Sequence, residues 1–145
     1  MNEKNVTVVE SGNGAYGQYI LAGNHVFGAD ESESLGGNNT GPNPYELLLA
    51  GLGACTSMTI RMYANRKKIP LARCEVRLRH LKRTAADGDK ADKFERVITL
   101  IGDLSQEQRQ SLLDIAERCP VSKTLRQGSE IVSVLANAEP VALPD

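Results

Sequence analysis

The sequence predicts one α+β domain spanning residues 1–145. Three observations predict it. Short alternating segments fall before residue 28 and again between 72 and 101. A long apolar segment opened by a helix-capping signal lies between them, and shorter helical patterns follow Ser105. Strands and helices come in runs, an order that favours α+β over a doubly wound parallel sheet. A chain of 145 residues is of one-domain size and buries roughly 70% of the surface its unfolded form exposes. It therefore needs no disulfide or metal staple to fold.

Residues 5–28 read as a β-meander of two or three strands. Val6 and Val8, then Tyr16, Gln18 and Ile20, alternate with other residues, and Gly12, Gly14, Gly23 and Asn24 interrupt the runs. Residues 28–43 form a polar, Gly-rich loop with three acidic residues and no base, long enough to be either functional or a solvated connection. Asn43, Pro44 and Glu46 then make a helix start: an N-cap, a proline in the first turn and a capping box. The helix should run to about Lys67, before Pro70, a length of roughly 35 Å. Its first turns, LLLAGLGACTSM, are apolar nearly all round. Such a helix must be covered all round, which favours burial at the centre of a dimer. Gly51, Ala54 and Cys55 place small residues near one face.

Residues 72–83 alternate, with Cys74, Val76, Leu78 and His80 on one face and Arg73, Glu75, Arg77 and Arg79 on the other. Residues 84–92 are a loop or hairpin tip, and Phe94–Ile101 is the next strand. Ser105 and Gln108 form a second capping box, with Leu112, Leu113 and Ala116 as the buried stripe. Cys119-Pro120 interrupts that helix, and Pro120 starts a last one ending near Gly128. Ile131–Ala136 reads as a final strand.

The formal net charge is −1, which does not suit a nucleic-acid or membrane-surface binder. Nine of the 17 Lys and Arg fall between Arg61 and Arg83 with Glu75 alone opposing them. No recognised binding motif accompanies the run, so it reads as a solvated face. The N-terminal residues carry no apolar signal core, and the longest uninterrupted apolar stretch, Leu47–Ala54, is far below the roughly 20 residues of a membrane span. The expectation is a soluble cytoplasmic protein.

Three cysteines without a secretion signal argue against a disulfide scaffold. Cys74, mid-strand beside Val76, reads as core, and so does Cys55 taken alone, because free cysteine is among the most buried residue types. Cys119 differs. It precedes Pro120 at a helix start, where unpaired N–H groups and the helix dipole stabilise a thiolate. No C-x-x-C or H-x-x-x-H spacing is present, so no zinc site or other cofactor is expected.

The segment GPNPYELLLAGLGACTSMTIRMYANRKKIPL, with the later ERCPVSKTL, resembles the OsmC/Ohr family of osmotically induced and organic hydroperoxide resistance proteins. The resemblance implies an intertwined homodimer with the long helices at its centre and active sites at the subunit interface. It also implies a peroxidase cycle. Cys55 would attack an organic hydroperoxide and become a sulfenic acid, Cys119 would condense with it to a disulfide, and a dithiol or other thiol reductant would reset the pair.

In the peroxidase members an Arg from the N-terminal strands serves the attacking thiol, held by an acidic residue after the helix-opening Pro. This chain has no Arg before Arg61, and Tyr45 follows Pro44, with Glu46 one residue later. Glu46 is a candidate for the acidic role beside its capping role. Arg61 and His25 are the candidate cations. The alternative function is an OsmC-like small-molecule binder or thiol redox sensor without peroxidase activity.

Overall fold

The structure, a computed structural model, describes residues 5–82 and 92–136. Strands β1 (Val6–Glu10), β2 (Gln18–Ala22) and β3 (His25–Ala29) precede helix α1 (Pro44–Arg66). Strands β4 (Leu71–Lys82) and β5 (Asp92–Gly102) follow, then helices α2 (Gln106–Ala116) and α3 (Pro120–Gln127). The α+β expectation holds. The meander is a three-stranded antiparallel sheet in the order β1-β2-β3, and β4 and β5 form a separate antiparallel pair. No broad contact joins the three-stranded sheet to the helices or to the β4–β5 pair.

The loop after β3 is ordered by one carboxylate. Asp30, 3% exposed, accepts bonds from Glu31 N (2.7 Å), Asn38 N (3.2 Å), Thr40 N (3.2 Å) and Thr40 Oγ1 (2.7 Å). The Thr40 hydroxyl and the Glu31 N–H hold its carboxyl below the usual carboxylate range, because each stabilises the charged form. A side chain at Gly37 would fall 2.1 Å from Glu31 O, so the loop closes too tightly for any other residue.

Helix α1 begins as its capping signal requires. Glu46 N donates to Asn43 Oδ1 (2.8 Å) and Asn43 N donates to Glu46 Oε1 (3.1 Å). Its inner face seats on β4 at Gly53, where a Cβ would stand 2.7 Å from Leu78 Cδ1. Further along, Ile60 and Ala64 meet Leu71, Leu112 and Ala116 in the core, with Ile98 and Leu100 of β5 packed against it. Both inward faces therefore come from the period-2 and period-3.6 patterns of the sequence.

The opposite face of α1 stays open within one chain. Leu48, Met58 and Met62 are 45%, 61% and 65% exposed, and nothing lies within 4 Å of a Cβ built at Gly51. Among the described residues α1 is the one helix whose length and hydropathy could cross a bilayer, yet its Thr56, Ile60 and Ala64 are packed against sheet and helices. The basic run is a solvated face with carboxylates interleaved: Glu75 pairs with Arg73 and Arg77, Glu95 with Arg79, and Asp92 with Lys82.

One element departs from expectation. Residues 129–136 form no strand, and Ile131, Val132, Val134 and Leu135 are 76–101% exposed. A strand exists only through hydrogen bonds to a neighbour, and none of the described strands of the same chain pairs with this segment. The hairpin tip expected over 84–92 lies, apart from Asp92 in β5, outside the described residues.

Two outcomes follow from this packing. Ile60→Ala empties a fully buried position and should cost about 2–5 kcal/mol of unfolding free energy in urea titrations. Asp30 stabilises the fold above its unfolded value near 3.8, and that contribution is lost as pH falls through its lower folded value. The stability deficit of Asp30→Asn, measured by urea unfolding, should therefore be full near neutrality and shrink below about pH 4.

Candidate functional site

The chain path brings Cys55 and Cys119 together. Cys55 is on α1, one residue before the fully buried Thr56, and Cys119 is the N-cap residue of α3, itself 0% exposed. Cys55 is partly exposed, and both are free thiols. The two thiols are close enough to shift each other's ionisation in opposite directions, Cys55 up and Cys119 down.

Burial pushes the Cys55 thiol up, and the charge tendency of Cys119 pushes it further. Burial is also the largest single influence on Cys119, and it opposes charge there. The Cys55 thiol, the Ser122 N–H, the Thr56 hydroxyl and the Val121 N–H together outweigh it, leaving Cys119 below the ordinary thiol value. Pro120 explains why these N–H groups are open. It occupies the first turn of α3, so Val121 and Ser122 present the next unpaired donors beside the sulfur. Cys119 makes no cap bond of ordinary length, and the sulfur is reached at longer range. Of the two, Cys119 is the thiol that ionises more readily.

Thr56 Oγ1 lies 4.0 Å from Cys119 Sγ and 2.6 Å from Leu52 O. Arg96 closes the arrangement from β5. Its Nη1 donates to Thr56 Oγ1 (3.0 Å) and Ala116 O (3.2 Å), and its Nη2 reaches Ser122 Oγ (3.4 Å) and Glu117 Oε1 (3.5 Å). Its side chain is 10% exposed. Glu117 also pairs with Arg126. Sequence reasoning missed Arg96, although a signal was present. It occupies an inward position of β5 between Phe94 and Ile98, where the alternation calls for an apolar residue.

Beside Arg96 opens a cavity of about 710 Å³, lined in part by Tyr45, Leu48, Leu52, Phe94, Ser122 and Leu125. Its outer wall is an aromatic stack. His80 lies 4.3 Å from Tyr45 and 5.1 Å from Phe94 between ring centroids, both nearly parallel. His80 Nε2 is 2.6 Å from Asp92 Oδ1, and His80 with Lys82 holds the Asp92 carboxyl below its usual range.

The other candidates lie elsewhere. Arg61 donates to Leu71 O (2.6 Å) and Ala72 O (3.3 Å) and faces Cys74, so within one chain it does not serve the pair. His25 is exposed at the start of β3. Glu46 has one oxygen engaged in the helix cap. Cys74 is half-buried against the core, as expected of a strand residue on the inner face. Among the described residues no group of His, Cys, Asp and Glu could hold a metal ion.

Comparison with known proteins gives the architecture a family. The family model of the OsmC-like protein matches residues 36–133. A putative osmotic stress induced and detoxification response protein from Psychrobacter arcticus superposes with a TM-score of 0.71 at 20% identity, over 86% of this chain and 89% of that one. An OsmC-like protein from Mycoplasma pneumoniae gives 0.71 at 19%, covering 86% and 88%. An organic hydroperoxide resistance protein from Legionella pneumophila gives 0.65 at 24%, covering 87% and 90%. At such identities these structures speak for the fold alone. No curated protein matches the sequence. With two adjoining thiols at the meeting of α1 and α3, and a family match running from the loop before α1 past the end of α3, the chain belongs to the OsmC-like family.

Proposed function

We propose that this chain is a thiol-dependent peroxidase of organic hydroperoxides, working through Cys55 and Cys119. The observation that carries the reading is the interacting thiol pair, one sulfur partly exposed and the other buried at a helix N-terminus. The cavity beside Arg96, lined by Leu48, Leu52, Phe94 and Leu125 among others but by neither cysteine, suits an organic substituent better than hydrogen peroxide alone.

The accessible sulfur and the charged sulfur are different atoms, and the reaction uses both. As Cys55 attacks the terminal peroxide oxygen, its proton passes to the Cys119 thiolate. The O–O bond breaks, Cys55 becomes a sulfenic acid, and the departing alkoxide takes the proton back from Cys119 and leaves as alcohol. Cys119, again a thiolate, attacks the sulfenic sulfur. The disulfide forms and hydroxide leaves, to be protonated to water. A dithiol then reduces the disulfide by exchange and is itself oxidised. Such a cycle needs a reducing compartment, which fits a cytoplasmic setting. The pair titrates as a unit, so the local preference for charge on Cys119 and the attacking role of Cys55 are compatible.

The same proposal includes a homodimer. The open face of α1, the three-stranded sheet with no broad contact in its own chain, and the unpaired 129–136 segment all leave apolar surface for a second copy. No nucleic acid or membrane is assigned a part.

A second reading has one specific support. Burial raises Cys55, as expected of a thiol that is slow to react, and a cavity of this size could instead hold a small ligand.

Peptide mapping after one equivalent of an organic hydroperoxide separates the two readings. Peroxidase action should give a Cys55–Cys119 disulfide with catalytic peroxide loss in the presence of a dithiol. Cys55→Ser should abolish that loss, and Cys119→Ser should stop at a sulfenic acid or mixed disulfide on Cys55. Thiols left free throughout would favour the ligand-binding reading. For the dimer, sedimentation should give twice the 15.7 kDa chain mass, and Met58→Glu should shift the distribution to monomer by burying a charge at the contact.

A further inference from the structure

Neither of the two candidate cations from the sequence serves the thiol pair within one chain: Arg61 bonds Leu71 O and Ala72 O, and His25 is exposed at the start of β3. A cation that is linked to the pair is Arg96, a strand residue nine-tenths buried. Arg96 does not bond either sulfur. It bonds Thr56, whose hydroxyl stands 4.0 Å from Cys119 Sγ.

A threonine hydroxyl has one proton to give and two lone pairs to receive. Arg96 Nη1 donates to Thr56 Oγ1 at 3.0 Å, so the oxygen accepts from Arg96 and its own proton must go elsewhere. Two acceptors compete for it: Leu52 O at 2.6 Å and Cys119 Sγ at 4.0 Å. While Cys119 is neutral, the short bond to the carbonyl wins. When Cys119 is charged, a charge-assisted bond becomes available at the sulfur, with a guanidinium immediately behind the donor.

We propose that Arg96 is a positioning residue of the redox pair: it commits the Thr56 hydroxyl to donating, and through Thr56 it supports negative charge on the Cys119 sulfur. This rests on the peroxidase reading for its purpose but not for its test. The surroundings of Cys119 fit the assignment. Cys55 faces it from α1, Arg96 from β5, Glu117 from the end of α2, and Arg126 lies on α3. Glu117 is half exposed and shared by the two guanidiniums, so it offsets only part of their charge. Arg96 also bonds Ser122 Oγ (3.4 Å), at the end of α3 where the N–H groups meet the same sulfur.

The experiment reads Cys119 ionisation without any peroxide, by ultraviolet thiolate absorbance against pH in a Cys74→Ala background. Cys55→Ser added to that background leaves Cys119 as the titrating thiol. Arg96→Met and Thr56→Val should each move its midpoint upward by about one pH unit, a tenfold change in ionisation. The double variant should move it no further than either alone, since both act through one hydroxyl. Arg96→Lys should restore most of the shift. With Cys55 present, the pH–rate profile of peroxide loss should move alkaline by the same amount.

Unchanged titration in Arg96→Met would overturn the proposal, leaving Arg96 a structural clip between β5 and the helices. Should Arg96→Met fail to fold, Thr56→Val decides alone. Its titration either shifts or, by staying put, removes Thr56 and with it the route from Arg96. Absence of peroxidase activity would refute the function proposed above yet leave these midpoints to be read.

Discussion

The close seating of α1 on the β4–β5 pair is the constraint on which the rest of the site depends. Gly53 permits it, since a methyl group there would overlap Leu78. That contact lies one turn or less from Leu52, Cys55 and Thr56. It sets the depth at which the Thr56 hydroxyl meets Arg96 from the strand below and Cys119 from the helix beside it. The Ile60, Ala64, Leu112 and Ala116 cluster further along α1 fixes α2, and the chain leaves α2 directly into Cys119. A side chain at residue 53 would displace the Leu78 side chain from its place beneath α1, next to groups that meet at 3.0 and 4.0 Å.

The site divides two properties that a reactive cysteine usually combines. Access belongs to Cys55, on a helix face that is partly open. The greater readiness to ionise belongs to Cys119, which is fully buried but has N–H donors, a hydroxyl and the neighbouring thiol around it. Burial normally drives a thiol toward its neutral form. Here the orientation of α3 opposes that tendency, because Pro120 leaves the following backbone donors unpaired at the sulfur. A single proton can then serve two sulfurs, and neither environment has to satisfy both requirements.

Much of this was legible in the sequence, for identifiable reasons. Asn43 with Glu46 and Ser105 with Gln108 mark helix starts because the capping box is local chemistry, complete within four residues. The Cys74, Val76, Leu78, His80 alternation placed β4 correctly because one face is buried by helices. Cys119 before Pro120 was legible as a helix-start cysteine because the residue ahead of a proline in a first turn is a local signal, and the structure does place it at the N-cap of α3. Arg96 was not read, because its bonds go to residues 20 to 40 positions away and no local pattern encodes them. The segment 129–136 reads as a strand by composition, but a strand also needs a neighbour, and pairing is not a property of the segment. The loop after β3 could not be distinguished from a floppy connection, because its order hangs on the rotamer of one aspartate.

That aspartate has a consequence for how the chain acquires its shape. The four bonds to Asp30 span one, eight and ten residues, and the β1–β2–β3 pairings are similarly local. Contacts of short sequence separation close quickly, since little chain entropy is lost before they form. Residues 5–40 can therefore close these local contacts while α1 is still emerging or undocked. What the carboxylate secures is a timetable as much as a conformation: a preformed sheet and clasp, ending at the cap of α1, before the slower search that joins residues 56, 96 and 119.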